Sequence, residues 1–143
     1  MAIIGIGVDL VKISRIRTLA ERWHDRFLHR LYTEEERRLS SHRASPYPFL
    51  AGRFAAKEAL LKALGIGWSA GVRWIDIQVL NDGAGRPVAT VAGRAGALIR
   101  EAGITGIFVS LSHDGEYAMA EALLTNDPQA DDTSRWPATS SYV

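Results

Sequence analysis

The 143 residues include no cysteine and only four histidines, scattered at 24, 29, 42 and 113. Thiol catalysis, disulfides, Fe–S clusters and thiolate zinc sites are therefore excluded. A metal would be held by oxygen or imidazole, and with so few, scattered histidines a hard cation on carboxylates is the favoured reading. Asp9 ends an apolar run of β-forming residues and so stands at a sheet rim. There it either faces a cleft or serves as a turn or cap residue before Ser14. Between residues 52 and 65, Phe54, Glu58, Leu61, Lys62 and Gly65 recur at three- and four-residue spacing and share one helix face. Arg53 and Lys57 form a neighbouring polar stripe. The face combines an acid, a base and an aromatic, and ends at a glycine that a ligand can approach closely. The alternative is an amphipathic surface helix with a Glu58–Lys62 pair of about 0.3–0.5 kcal/mol.

His113 and Asp114 fall at a tight turn, which is either an Asp-Gly hairpin turn or part of a site. Ser112, His113 and Asp114 are consecutive, so they do not form a Ser/His/Asp triad, whose members converge from separate positions. Gly5 and Gly7 lack the third glycine and preceding strand of a dinucleotide fingerprint. Arg15, Arg22, Arg26 and Arg30 repeat at spacings of seven and four. Residues 12–30 hold six bases against two acids, on a chain of net charge +1. Such a face is either merely solvated or a docking surface for an acidic partner, Arg15 and Arg22 included.

These residues need elements to hold them. Residues 3–10 read as a buried strand, apolar on both faces and loosened by Gly5 and Gly7. Ser14 caps a helix with Ile16, Leu19, Ala20 and Trp23 on its apolar side. Thr33 and Glu36 have capping-box spacing, so a second helix starts there. Residues 45–48, Ser-Pro-Tyr-Pro, break the chain before a third helix over 49–64, ended by Gly65 at C′. Strands follow at 74–80 and 88–91 around a turn at 81–85, then a helix over 94–102 closed by Gly103. Two more strands, 107–112 and 117–124, flank a turn at 113–116. The order β-ααα-ββ-α-ββ predicts an α+β domain over 1–124 with mostly antiparallel pairing. Residues 125–143, rich in Thr, Ser, Asp, Ala and Pro, read as a disordered tail.

Composition is that of an ordinary soluble globular protein, with 47% hydrophobic and 23% charged residues. The near-neutral balance, 17 basic against 16 acidic residues, argues against bulk nucleic-acid binding. The longest apolar run stops at Asp9, short of a membrane helix, and the N-terminus lacks signal-peptide character. A cytoplasmic location is expected.

Three stretches together carry a family resemblance. Ile4-Gly5-Ile6-Gly7-Val8-Asp9-Leu10, Gly52-Arg53-Phe54-Ala55-Ala56-Lys57-Glu58-Ala59-Leu60-Leu61-Lys62 and Val109-Ser110-Leu111-Ser112-His113 resemble the signature segments of the holo-acyl-carrier-protein synthases. These are small 4′-phosphopantetheinyl transferases, and the middle segment is the specific one. The resemblance implies transfer of phosphopantetheine from coenzyme A to a serine of apo acyl carrier protein, with Mg²⁺ as cofactor and a homotrimer as the assembly. It implies that Asp9 and Glu58 bind the metal and that Lys62 contacts the coenzyme phosphates, all three acting in catalysis. Arg53, Phe54, Gly65, Pro87 and His113 complete the implied coenzyme pocket, and Arg15 is the implied carrier contact. Two departures stand out. Gly65-Ile66-Gly67 lacks the hydroxyl residue common between such glycines, and the chain runs past the usual family end. Two rival classes share these residues: a module that binds the coenzyme without turning it over, and a Mg²⁺-dependent phosphohydrolase that needs no carrier.

Overall fold

A computed structural model describes residues 1–126 of the chain. In order the elements are β1 (Ala2–Lys12), α1 (Ile13–Trp23), α2 (Asp25–Leu31), α3 (Glu34–Ser41), α4 (Tyr47–Leu64), β2 (Ile77–Asn81), β3 (Pro87–Val91), α5 (Gly93–Glu101), β4 (Gly106–Asp114) and β5 (Tyr117–Asn126). Strands β1, β5 and β4 form one sheet in that order, and β2 and β3 form a hairpin. Every pairing is antiparallel, as the α+β reading requires.

Four helices precede β2, not three. His24 adopts φ 47° and ψ −128°, a conformation rare outside glycine, and splits α1 from α2. The basic residues expected along one helix side are thereby divided, with Arg15 and Arg22 on α1 and Arg26 and Arg30 on α2. Helix α1 starts at Ile13, with Lys12 as its cap residue, so Ser14 lies inside the helix. The Thr33–Glu36 capping box forms as the spacing predicts. Gly65 ends α4 at φ 70°, with Gly65 N–H donating to Lys62 O and Ile66 N–H to Leu61 O. This is a Schellman closure, and the left-handed backbone there favours glycine.

Helix α4 is not an amphipathic surface helix. It is buried on almost every side, because small residues let its backbone lie directly on the sheet. A Cβ on Gly5 would stand 1.9 Å from Ala63 O, and one on Gly7 would stand 2.0 Å from Ala59 O. The glycines therefore set the helix–strand distance rather than loosening the strand. Ala118, Ala120 and Ala122 of β5 are fully buried and extend the same platform.

The all-round burial takes in two charges expected on a polar stripe. Lys57 Nζ donates to Glu36 Oε2 at 2.8 Å, to Leu31 O at 2.6 Å and to Trp74 O at 3.3 Å. Burial lowers the Lys57 pKa, and the Glu36 carboxylate opposes that shift. Glu36 is completely buried, and its other oxygen accepts from Val79 N–H at 2.8 Å. One paired charge thus ties α4 to α2, α3 and β2, and removing one partner of such a pair costs about 3–5 kcal/mol.

Strand β1 is not buried on both faces. Its inner residues are Gly5, Gly7, Asp9 and Val11, while Ile6, Val8 and Leu10 are 62%, 53% and 60% exposed. Residues 74–76 form a 3₁₀ turn, so β2 begins at Ile77 instead of Trp74. The turn between β4 and β5 shrinks to Gly115 and Glu116, and His113 and Asp114 become strand residues. The expected domain edge at 124 moves outward: β5 continues to Asn126, and buried Thr125 accepts Thr105 N–H at 2.9 Å. The remainder of the expected tail, 127–143, lies outside the described residues.

Candidate active site

Asp9 lies on the inner face of β1, opposite Ala120 of β5. It is not at a strand end, because β1 runs on to Lys12. Gly5 meets Ala63 and Gly7 meets Ala59, so α4 runs antiparallel to β1. Two residues farther along β1, the same step brings Asp9 to the level of Ala55, in the turn that ends at Glu58.

Lys62 spans this seam. Its Nζ donates to Asp9 Oδ1 and to Val8 O, both at 3.0 Å. The i,i+4 partner expected for Lys62, Glu58, is instead bonded by Trp68, whose Nε1 donates to Glu58 Oε1 at 3.2 Å. The Lys62 side chain is 52% exposed and that of Asp9 is 15% exposed, so the ammonium lies at the mouth of the seam. An exposed pair of this kind contributes little stability, and Lys62 is free to leave Asp9 for another anion.

Phe54, one turn before Glu58, stacks on Trp74 at 4.9 Å, and Trp74 stacks on Trp68 at 3.7 Å. The Arg15 guanidinium sits over the Phe54 ring at 5.6 Å. Beside this stack, α1 and α2 border an open cleft of about 600 Å³ that Phe54 and Trp74 also line, with Arg26 and Arg30 in its wall. Arg22 lies over Trp23 at 5.1 Å, on the same side of α1 as that cleft lining. Asp9, Glu58, Lys62, Phe54 and Arg15 are thus neighbours along one side of α4.

The other expected pocket residues sit elsewhere in the chain. Arg53 is only 7% exposed; it donates to Val79 O at 3.1 Å and to Asn81 Oδ1, and burial lowers its guanidinium to about 10. Asn81 pairs with Pro87 across the hairpin, so Arg53 supports that end of β2–β3. His113 is exposed on β4 and faces Ala118 of β5. Strand β5 separates it from β1, and its partner Ala118 lies two residues along β5 from the Ala120 opposite Asp9, which puts Asp9 and His113 about 12 Å apart across the sheet.

Sequence reasoning missed Trp68 and Trp74. The available signal was a pair of tryptophans six residues apart, just beyond the glycine that ends the helix. Among the described residues no group of three or more acids or histidines could hold a metal. Two carboxylates on a seam still fit Mg²⁺, which keeps several waters and takes the rest of its ligands from substrate phosphate. No helix among the described residues is long and apolar enough to cross a membrane.

A glycine-tight helix–strand seam carrying carboxylates and a half-exposed lysine is a setting for phosphoryl transfer, and the comparisons agree. The chain belongs to the 4′-phosphopantetheinyl transferase superfamily, whose model matches residues 5–122. Within that family it is 47% identical over 121 residues to the holo-[acyl-carrier-protein] synthase of Desulforudis audaxviator (strain MP104C), covering 85% of this chain and 92% of that protein. The crystal structure of the Neisseria meningitidis holo-[acyl-carrier-protein] synthase aligns with a TM-score of 0.81 at 31% identity, covering 87% of this chain and 100% of that one. The Helicobacter pylori synthase in complex with coenzyme A aligns with a TM-score of 0.75 at 29% identity, over 84% of this chain and 99% of that chain.

Proposed function

We propose that the chain transfers 4′-phosphopantetheine from coenzyme A to a serine of an apo acyl carrier protein, releasing adenosine 3′,5′-bisphosphate. The observation that carries this reading is the seam itself, with Asp9, Glu58 and Lys62 along one side of α4 in a member of this family. The serine Oγ bonds to the β-phosphorus of the coenzyme pyrophosphate as the P–O bond to the bisphosphate breaks. Such a displacement needs positioning and charge neutralisation more than covalent help. A magnesium ion held by Asp9 and Glu58 would supply Lewis-acid neutralisation of the pyrophosphate. Lys62, half exposed and held by a weak pair, reaches phosphate oxygens from the mouth of the seam. Gly65 and Phe54 continue the coenzyme surface, since a Cβ at Gly65 would meet nothing within 4 Å. Pro87, buttressed by Arg53 through Asn81, and His113 supply the far side of the pocket.

Carrier-dependent release of adenosine 3′,5′-bisphosphate tests this against the rival classes. A phosphohydrolase would release product without carrier, and a simple binding module would release none.

The carrier docks on α1 through Arg15 and Arg22. Arg15 is exposed over Phe54, beside the seam, where an acidic partner would bring its serine close. Arg15→Glu is expected to raise KM for the carrier about tenfold. KM for coenzyme A should change less than twofold, and an equal rise in both would make Arg15 a coenzyme ligand.

A homotrimer completes the pocket. Two features support it: the outer sheet face, with Ile6, Val8, Leu10, Phe108 and Met119 between 42% and 62% exposed, and the separation of His113 from Asp9 within one chain. Mixing His113→Ala chains with Glu58→Ala chains, each inactive alone, should restore part of the activity. No recovery after demonstrated subunit exchange would place the whole site in one chain.

A further inference from the structure

Glu58 has three side-chain torsions and lies only partly buried at the edge of α4. A carboxylate in that position serves a cation only if something fixes it. Trp68 Nε1–H, the one polar group of the indole, donates to Glu58 Oε1 at 3.2 Å. No hydrogen bond occupies Oε2 among the described residues. The indole is itself held. It stacks on Trp74 with ring centroids 3.7 Å apart and planes 23° apart, and Trp74 stacks on Phe54 at 4.9 Å and 23°. Phe54 and Glu58 are i,i+4 on α4, so the contacts close a ring from the helix out to Trp68 and back. The buried Lys57 ammonium fastens the ring by donating to Trp74 O at 3.3 Å. This is the arrangement by which an outer partner orients a metal ligand: it consumes one oxygen, fixes the rotamer and presents the other oxygen.

We propose that Trp68 is a positioning residue for Glu58, fixing its carboxylate so that Oε2 is presented to the divalent cation beside Asp9. The inference rests on the reading of Glu58 as a metal ligand. It assigns the work to the indole N–H; ring size alone would not suffice. Trp68→Phe keeps an aromatic in the stack and removes the donor. With the full chain and coenzyme A present, Mn²⁺ binding is read from the loss of the hydrated Mn²⁺ electron paramagnetic resonance signal. Trp68→Phe is expected to weaken Mn²⁺ affinity about tenfold. Turnover at saturating Mg²⁺ should stay within threefold of wild type, and metal-free coenzyme A affinity within twofold. Benzothienylalanine at position 68 keeps the bicyclic shape without the N–H, and should reproduce the loss even if the smaller phenyl ring disturbs folding. Wild-type Mn²⁺ affinity in both variants, alongside weakened binding in Glu58→Gln, would overturn the inference and leave the reading of Glu58 intact. Wild-type affinity in Glu58→Gln would overturn that reading instead.

Discussion

Glu58→Gln is expected to lower turnover about a hundred- to a thousandfold while leaving the melting temperature within a few degrees of wild type. The rate term is large because, on the proposed reading, the substitution removes an anionic ligand of the cation that would neutralise the pyrophosphate, and losing such electrostatic stabilisation costs a factor of this order. The stability term is small because Gln keeps the shape, and its amide oxygen still accepts the Trp68 N–H now donated to Glu58 Oε1. Asp9→Asn should lower the rate similarly. It also breaks the pair with Lys62, but that lysine is 52% exposed and gains water in exchange. The double variant should fall far short of the product of the two losses, because on the proposed reading both carboxylates serve one centre. Steady-state kinetics at limiting and at high Mg²⁺, with circular dichroism melts of each variant, check all three. Normal turnover of either single variant at limiting Mg²⁺ would remove that residue from the centre.

Gly7→Ala is expected to cost about 3 kcal/mol or more, a large part of the roughly 5–15 kcal/mol that holds a domain folded. The added methyl would stand 2.0 Å from Ala59 O and 2.7 Å from Ala63 N, both backbone atoms of α4. No side chain can rotate out of the way, so the helix itself must retreat. Its far side is held by the buried Lys57–Glu36 pair and by the Lys57 bonds to Leu31 O and Trp74 O. Retreat would also move Glu58 away from Asp9, so the folded fraction should have reduced activity. Gly83→Ala is the matched control, because its Cβ would meet nothing within 4 Å. Urea unfolding midpoints separate the two, and equal midpoints would show that the seam is looser than its distances imply.

The sequence made the α+β order legible because most elements carry local signals. The Thr33–Glu36 box, the Gly65 closure and the Gly103 end of α5 are short-range chemistry and appear in the structure at the stated residues, while the turn at 113–116 narrows to Gly115 and Glu116. The break at His24 was not legible, since no proline or glycine marks it. The apolar residues of β1 suggest a strand buried on both faces. The core side belongs to the glycines, and the reason lies in α4, more than fifty residues away. Non-local causes also hid the pairing of the site residues. Periodicity put Phe54, Glu58 and Lys62 on one face, which the structure keeps, but suggested a Glu58–Lys62 pair. Lys62 turns instead to Asp9 across the seam, and Glu58 to a tryptophan beyond the helix end. Burial of Lys57 and Arg53 followed from partners in α3 and β2 that no spacing rule connects to α4.

The central claim is group transfer to a carrier serine, and the mass of the carrier tests it most directly. Apo acyl carrier protein incubated with the chain, coenzyme A and Mg²⁺ should gain the mass of one phosphopantetheine, located on a single serine by fragmentation. The gain should be absent with a Ser→Ala carrier and strongly reduced with Glu58→Gln enzyme. An unmodified carrier, with coenzyme A intact or cleaved to free phosphopantetheine, would contradict the account.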